Sequence, residues 1–390
     1  MNLILSSKVM RINTSLTRQL FELAKKFNDV IDLTLGDPDL LPPMKIREAA
    51  SEAIMNGKTR YSQNAGLMEA RESIAKFNSN YYGDEISPSE IMITCGGMEA
   101  IFLLLTSLVE DGDEVIIPGP YWVNYKQMTE ICGGKAVIVP TKEDNDFLIS
   151  IESLKRVITK KTRVLIINSP NNPTGRITPV SVLRQIANLA RKHNFFIISD
   201  EVYRSLVYHN NKHNSIWTIP GIRSRCAVVD SMSKRFSMTG YRLGYAIAPK
   251  DLIVAMSRLQ ENIAACAPLP AQHAAIVGYG ENVSISGILK EFLRRRDVIY
   301  DGISAIPGLS ISKIDGTFYA FVNISGTGMN SYDFSMKLLE TQQVAVVPGR
   351  TYGALYDDYI RIAFTVNVPK LKKSIKRIAE FVKEYCHVDS

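Results

Sequence analysis

Short apolar runs alternate with amphipathic stretches through the middle of the chain. Ile91-Met-Ile-Thr94, Glu114-Val-Ile-Ile117, Ala136-Val-Ile-Val139, Arg163-Val-Leu-Ile-Ile167, Phe195-Phe-Ile-Ile-Ser199 and Ala227-Val-Val229 are rich in β-branched residues and predict strands. They lack period-two alternation, so the expected strands are buried on both faces. Between them, Ser150 to Ile158 and Pro179 to Arg191 repeat apolar residues at helical spacing. This rhythm predicts an α/β unit with a mostly parallel sheet sandwiched by helices. After about residue 283 the pattern changes. A charged helix (Ile288 to Ile303) precedes Gly316-Thr-Phe-Tyr-Ala-Phe-Val322, which alternates like a strand with one exposed face. A helix (Tyr332 to Thr341), two short strands and a C-terminal helix (Pro369 to Tyr385) follow, predicting a smaller α+β domain.

Composition narrows the class. With 390 residues and 46% hydrophobic, the chain can bury a sizeable core without disulfides or metal, and it is neither disordered nor fibrous. Its five cysteines (Cys95, Cys132, Cys226, Cys266, Cys386) are odd in number and scattered, which fits a reducing compartment. His209 and His213 sit four apart in a polar stretch with no helical pattern, which reads as a solvated loop rather than a metal site. The opening Met-Asn-Leu-Ile-Leu-Ser-Ser-Lys is too short an apolar run for a signal peptide. Ala100 to Val109 is too short to span a bilayer. A cytoplasmic protein that does not bind membrane is expected. The net charge of +7 is modest for the length. Arg294-Arg-Arg296 and Lys370 to Lys376 lie on helical patterns without interleaved aromatics, so they read as solvated helix faces rather than a nucleic-acid surface.

Four motifs carry candidate chemistry. Ser231-Met-Ser-Lys-Arg-Phe-Ser-Met-Thr-Gly-Tyr-Arg-Leu-Gly244 follows a strand and sets Lys234 among small hydroxyl residues, with Arg242 further on. A lysine whose pKa is lowered by its surroundings is suited to a Schiff base, and an arginine fork to a phosphate. Phe195-Phe-Ile-Ile-Ser-Asp-Glu-Val-Tyr203 ends a buried strand in Asp200. Ligands of open α/β sheets bind beyond such strand ends. A carboxylate there needs a cationic partner, for which a protonated pyridine nitrogen would serve; the bland alternative is a helix cap. Asn168-Ser-Pro-Asn-Asn-Pro-Thr-Gly-Arg176 follows another strand and brings Asn172 to the same edge, with Gly175 free to take a positive φ. Thr94-Cys-Gly-Gly-Met-Glu-Ala-Ile101 is a strand-to-helix junction whose glycines let the backbone approach an anion at a helix N-terminus. No P-loop and no GxGxxG occurs.

In this ordered set, from about Leu33 to Phe364, the sequence resembles the class I/II aminotransferases, fold type I of the pyridoxal 5′-phosphate (PLP) enzymes, in the bacterial aspartate/aromatic branch. The resemblance implies a large PLP-binding domain over 37–282 and a small domain formed by both termini, 1–36 and 283–390. By similarity, Lys234 forms the Schiff base and moves the proton, and Asp200 keeps the pyridine nitrogen protonated. Tyr203 and Asn172 bond the ring oxygen. Trp122 stacks on the ring, with Tyr121 as the competing candidate. The Gly97 and Met98 amides, Ser231, Ser233 and Arg242 hold the phosphate. Tyr61 resembles the tyrosine that reaches the phosphate from the partner subunit, which implies a homodimer with a shared site. Arg361 resembles the arginine that grips the substrate carboxylate, and Gly36 lends backbone to that carboxylate.

With the carboxylate held near the ring plane by Arg361 and Asn172, the Cα–H bond stands perpendicular to it. Deprotonation by Lys234 is then favoured over decarboxylation, and the implied reaction moves an amino group from an L-amino acid to a 2-oxo acid through a pyridoxamine form. Met98 stands where some relatives of this branch have a lysine for an acidic side chain. The expected donor is therefore neutral or aromatic, with aspartate still open, and the acceptor 2-oxoglutarate or pyruvate. The nearest rival is a PLP-dependent carbon–sulfur lyase of the same fold. A regulatory PLP-binding domain would be expected to carry a DNA-binding segment, and only about thirty residues precede the Leu33 motif. A hydrolase is disfavoured by the lack of Gly-x-Ser-x-Gly.

Overall fold

In the computed structural model, which describes residues 5–10, 12, 16–209 and 211–386, the expected strands form one seven-stranded sheet. Residues 1–4, part of the stretch weighed as a signal peptide, lie outside the described residues. In chain order the strands are β1 (Ile31–Asp32), β2 (Ile91–Thr94), β3 (Glu114–Pro118), β4 (Lys135–Val139), β5 (Thr162–Asn168), β6 (Phe196–Asp200), β7 (Cys226–Ser231), β8 (Gly244–Ile247), β9 (Ser310–Ile311), β10 (Tyr319–Asn323), β11 (Val344–Ala345), β12 (Val347–Pro348) and β13 (Tyr359–Ala363). The large sheet runs β2-β8-β7-β6-β5-β3-β4, and only β8 is antiparallel to its neighbours. Alternate residues feed two separate cores. Leu165 and Ile167 of β5 pack with Ile197 and Val228 on one face; Val164 and Ile166 pack with Ile198 and Val229 on the other. Burying one such side chain stabilises by roughly 1.5–3 kcal/mol, which is why these runs need no polar face.

Register decides which residues meet at the sheet's carboxyl edge. Asn168 lies opposite Asp200, and Gly244 lies opposite both Ser231 and Thr94. Helix Gly97–Leu108 starts immediately beyond β2. A Cβ on Gly244 would sit 2.3 Å from the Gly97 amide nitrogen, so only glycine lets this helix start close over the edge.

A second sheet, β12-β13-β10-β9, is antiparallel, and β1 pairs in parallel with β11. Helices Ser286–Ser304, Ser331–Gln342 and Val368–Tyr385 cover one face, with Phe292, Phe334 and Phe381 meeting Val322 and Ile362. The reading of Gly316 to Val322 as half-exposed is corrected here. Tyr319 to Val322 are all buried, because Phe321 packs on the other face against Phe147, Tyr352 and Tyr356.

Two polar readings are also corrected. Successive residues of a helix point about 100° apart, so Arg294-Arg-Arg296 cannot share a face. Arg294 is exposed, whereas Arg295 is buried, donating to the Thr365 carbonyl at 2.7 Å and pairing with Asp39 at 2.7 Å. His213 is not solvated either. Its ring is buried 3.6 Å from Glu201, and burial pushes its pKa down to about 3, so it stays neutral. Lys370, Lys372, Lys373 and Lys376 are exposed as expected. Among the described residues, no helix is long and apolar enough to cross a membrane.

Behind the sheet's carboxyl edge lies a buried polar cluster. Arg204 pairs with Asp230 at 2.7 Å, donates to Asn78 and the Tyr245 hydroxyl at 2.7 and 2.8 Å, and to the Tyr82 hydroxyl at 2.5 Å. Asp230 in turn accepts from the Ser231 amide at 2.7 Å. Removing one partner of a buried pair strands the other charge, at a cost of about 3–5 kcal/mol. Arg204→Met is therefore expected to lower the urea-unfolding free energy by that order, while Lys373→Met, which breaks an exposed pair with Asp29, hardly moves the midpoint. Equal midpoints for the two variants would contradict this assignment.

Candidate active site

The carboxyl edge of the large sheet and one end of the small sheet enclose a cavity of about 450 Å³. Its floor is the end of β6. Asp200 is buried there, its Oδ2 accepting from the Tyr125 hydroxyl at 2.5 Å and its Oδ1 from the Val202 amide at 3.2 Å. Burial raises its pKa from 3.8 to about 6. Its hydrogen-bond partners Tyr125 and the Val202 amide hold that value down, Asp230 and Glu201 push it further up, and Asp200 makes no ion pair among the described residues. Tyr203, also lining the cavity, donates to the Tyr319 hydroxyl at 3.2 Å, and burial lifts its pKa well above the usual value, so it keeps its proton.

Lys234 stands in the short helix after β7. Its Nζ donates to the Gly36 carbonyl at 2.8 Å, and burial lowers its pKa, with Arg242 and Arg361 adding to the effect. Ser231 caps that helix: its hydroxyl accepts from the Ser233 amide at 3.0 Å and donates to the Leu243 carbonyl at 3.0 Å. Ser233 is buried in the same wall. Opposite, Gly97 and Met98 open the first turn of helix Gly97–Leu108. Arg242 arches over Gly96, donating to the carbonyls of Thr239 at 2.8 Å and Cys95 at 3.3 Å. Gly96 has φ +88°, and a Cβ there would lie 2.4 Å from the Arg242 Nη2. Amide groups at a helix N-terminus beside a guanidinium make an anion cradle.

Arg361 of β13 enters from the small sheet. Its Nη1 donates to Asn172 Oδ1 at 3.2 Å, its Nη2 to the Thr34 carbonyl, and its Cζ lies 4.2 Å from the centre of the Tyr319 ring. Its Nε is buried without a hydrogen-bond partner among the described residues, which leaves a donor for a carboxylate. The Thr34–Asp39 segment joins both halves: Leu35 accepts from Thr365, Asp37 from Thr239, and Asp39 pairs with Arg295.

Twelve of the sequence-predicted residues therefore converge on one cavity: Gly36, Gly97, Met98, Trp122, Asn172, Asp200, Tyr203, Ser231, Ser233, Lys234, Arg242 and Arg361. Trp122 lines it, while Tyr121 is buried in the core behind. Tyr61 is not in its wall and is 86% exposed. Sequence reading missed Tyr125, Tyr319, Tyr352 and Thr34. Tyr125 was signalled by standing one helical turn after Trp122, and the two rings meet edge-on at 5.3 Å. Tyr319 carried no signal, since its partners come from distant segments.

These features fit PLP. A buried carboxylate with no ion-pair partner among the described residues suits a ring N–H⁺, an amine with lowered pKa suits an aldehyde, and the Gly97–Arg242 cradle suits a phosphate.

Residues 28–378 match the family described as aminotransferase class I and II. The aspartate aminotransferase of Pyrococcus horikoshii is 37% identical, with 96% of each chain covered. Aromatic-amino-acid aminotransferase 2 of Thermococcus litoralis is also 37% identical, over 97% of this chain and 98% of that one. Among solved structures, the aspartate aminotransferase of Rhizobium meliloti superposes with a TM-score of 0.94 at 30% identity, covering 99% of this chain and 100% of that one. The aromatic aminotransferase of Pyrococcus horikoshii does so with 0.88 at 37% identity, covering 94% and 99%. These relatives favour amino-group transfer over the carbon–sulfur lyase alternative. The chain belongs to the class I and II aminotransferases and is a PLP-dependent transaminase.

Proposed function

We propose that this transaminase takes a neutral or aromatic L-amino acid as donor and a 2-oxo acid as acceptor, with Lys234 as the proton-moving base. The observation that carries the reading is the convergence of Lys234, Asp200, Arg361 and the Gly97–Arg242 cradle on one cavity. PLP, when bound, supplies an aldehyde for the amine and a ring that accepts negative charge from the substrate Cα. The chain's residues do the rest. Arg361 holds the α-carboxylate through its unpartnered Nε, with Asn172 beside it. Lys234 takes the proton from Cα and returns it on the same side. Its lowered pKa leaves more of it in the neutral, proton-accepting form. Asp200, steadied by Tyr125, stays ionised against the ring N–H⁺. Tyr203 and Asn172 serve the ring oxygen, Trp122 the ring face, and Ser231, Ser233 and Arg242 the phosphate with the Gly97 and Met98 amides. Gly36 keeps the amine of Lys234 oriented.

Met98, half-exposed in the cavity beside Ile101, Trp122 and Val123, supports the neutral or aromatic donor, although relatives include both aspartate and aromatic enzymes. The same reading includes a homodimer in which Tyr61, exposed on one protomer, completes the partner's phosphate site. It also includes a large domain over 37–282 and a small one from 1–36 and 283–390, supported by the pairing of β1 with β11. A cytoplasmic setting is supported by the scattered cysteines.

A panel of single amino acids tests the reading. Aromatic and neutral donors should convert the bound cofactor to its pyridoxamine form faster than aspartate. Lys234→Ala should lose the visible absorbance of the wild type and at least 10³-fold of turnover. Aspartate preferred by a wide margin, or an active Lys234→Ala, would overturn it.

Asp200 gives a pH signature. Its folded pKa is raised above its unfolded one, so its contribution is fully present below about pH 3.8 and lost as pH rises through about 6. Stripped of PLP, the wild type should therefore lose on the order of 2 kcal/mol relative to Asp200→Asn between pH 4.5 and 7.5. Loading PLP should abolish that loss, because the ring cation partners the carboxylate. Urea unfolding at both pH values measures it; a pH-independent difference in the stripped protein would contradict the burial of this charge.

A further inference from the structure

Tyr319 has no task in the reading above, yet it touches both ends of the site. It opens β10, where its amide donates to the Thr317 hydroxyl oxygen at 3.1 Å, and it is buried in the cavity wall. Register sets Phe321 opposite Arg361, so Tyr319 and Arg361 are diagonal neighbours on one face of the small sheet. The Arg361 guanidinium lies 4.2 Å from the centre of the Tyr319 ring and 5.3 Å from that of Tyr352. At the other end of the side chain, the Tyr319 hydroxyl meets that of Tyr203 at 3.2 Å. It reaches there only across a glycine, because a Cβ on Gly36 would lie 1.8 Å from the Tyr319 Oη.

We propose that Tyr319 is a positioning residue for the transamination, its hydroxyl turning the Tyr203 proton onto the cofactor's ring oxygen and its ring holding Arg361 for the substrate carboxylate; this rests on the transaminase reading. Two observations carry it. The first is a count of protons. A phenol has one proton to give. Tyr203 gives its own to Tyr319 and cannot give it to a ring oxygen as well. Tyr319 accepts that bond, and its hydroxyl makes no other among the described residues. Its own proton is therefore available to reverse the bond, so that Tyr319 donates to Tyr203 and Tyr203 to the ring oxygen. In such a chain each hydrogen bond strengthens the next. No ring has to travel, since Tyr203 is fixed by edge-on contacts with the rings of Phe318 at 5.4 Å and Tyr319 at 5.8 Å. Only the two hydroxyl protons turn. The second observation is the setting of the guanidinium. Nη1 and Nη2 of Arg361 are taken by Asn172 and the Thr34 carbonyl, and the Tyr319 face attracts the cation between them. That hold keeps Arg361 in place while its unpartnered Nε is left for a carboxylate.

A hydrogen bond to the ring oxygen favours its negatively charged form, and so lowers the pH at which the visible absorbance of the PLP-loaded enzyme titrates. Tyr319→Phe keeps the ring and removes only the hydroxyl. It should raise that midpoint by about 0.5 pH unit, about threefold in proton affinity. Tyr203→Phe should raise it further, and adding Tyr319→Phe to Tyr203→Phe should change nothing more. Unreactive 3-phenylpropionate, titrated calorimetrically into the loaded enzyme, should bind Tyr319→Phe as it binds wild type, and Tyr319→Leu about fivefold more weakly. An unmoved midpoint in Tyr319→Phe, or the same rise with and without the Tyr203 hydroxyl, overturns the part given to the Tyr319 hydroxyl. Equal binding of the probe by Tyr319→Leu and wild type overturns the part given to its ring. A Tyr203→Phe enzyme that titrates as the wild type does overturns the underlying placement of Tyr203 on the ring oxygen instead.

Discussion

A carboxylate at the end of a fully buried strand, with a tyrosine hydroxyl and an amide for company but no ion-pair partner among the described residues, is the constraint around which this molecule is arranged. Ionised Asp200 is costly to bury, and burial, opposed by its hydrogen bonds and reinforced by Asp230 and Glu201, lifts its pKa to about 6. The short bond from Tyr125 offsets part of that cost and fixes the carboxylate's direction. What remains is a demand for a positively charged donor, which the protonated pyridine ring would meet in the reading proposed above. In that reading, the same electrostatic demand that destabilises the protein without its cofactor would make the bound ring an effective electron acceptor.

The rest of the fold serves to keep that site in register. Parallel pairing sets Asn168 opposite Asp200, and the antiparallel β8 brings Gly244 between the edges that carry Ser231 and Gly97. The Arg204–Asp230 cluster ties helix Met68–Tyr82 to β7 and β8 just behind this edge. The Thr34–Asp39 segment is the seam between the two sheets. Its carbonyls take the Lys234 amine and the Arg361 guanidinium, so the proposed base and the proposed carboxylate clamp share one stretch of backbone. A shift of that seam would move both together.

Much of this was legible in the amino-acid order because the large sheet is buried on both faces. A continuous β-branched run followed by a polar residue marks a strand and its carboxyl end, which is how Asp200, Asn172 and Lys234 could be placed at the sheet edge that lines the cavity. The small sheet was harder. Tyr319 to Val322 alternate in a way that suggests solvent on one face, yet that face is covered by Phe147, Tyr352 and Tyr356 from segments far apart in the chain. Arg295 and His213 were misread for a related reason. Local pattern reports polarity, whereas their burial depends on distant partners, Asp39 and Thr365 for the one and Glu201 for the other. Tyr319, which bonds Tyr203 and stacks on Arg361, is visible only once the two sheets are brought together.

The protonation state of the bound ring can be read directly by nitrogen NMR of enzyme loaded with PLP carrying ¹⁵N in its pyridine ring. The proposed pairing with Asp200 predicts a pyridinium signal that persists to a pH well above that at which the free cofactor's ring loses its proton. A ring nitrogen that is unprotonated at neutral pH, or that titrates as it does in free PLP, would contradict the account.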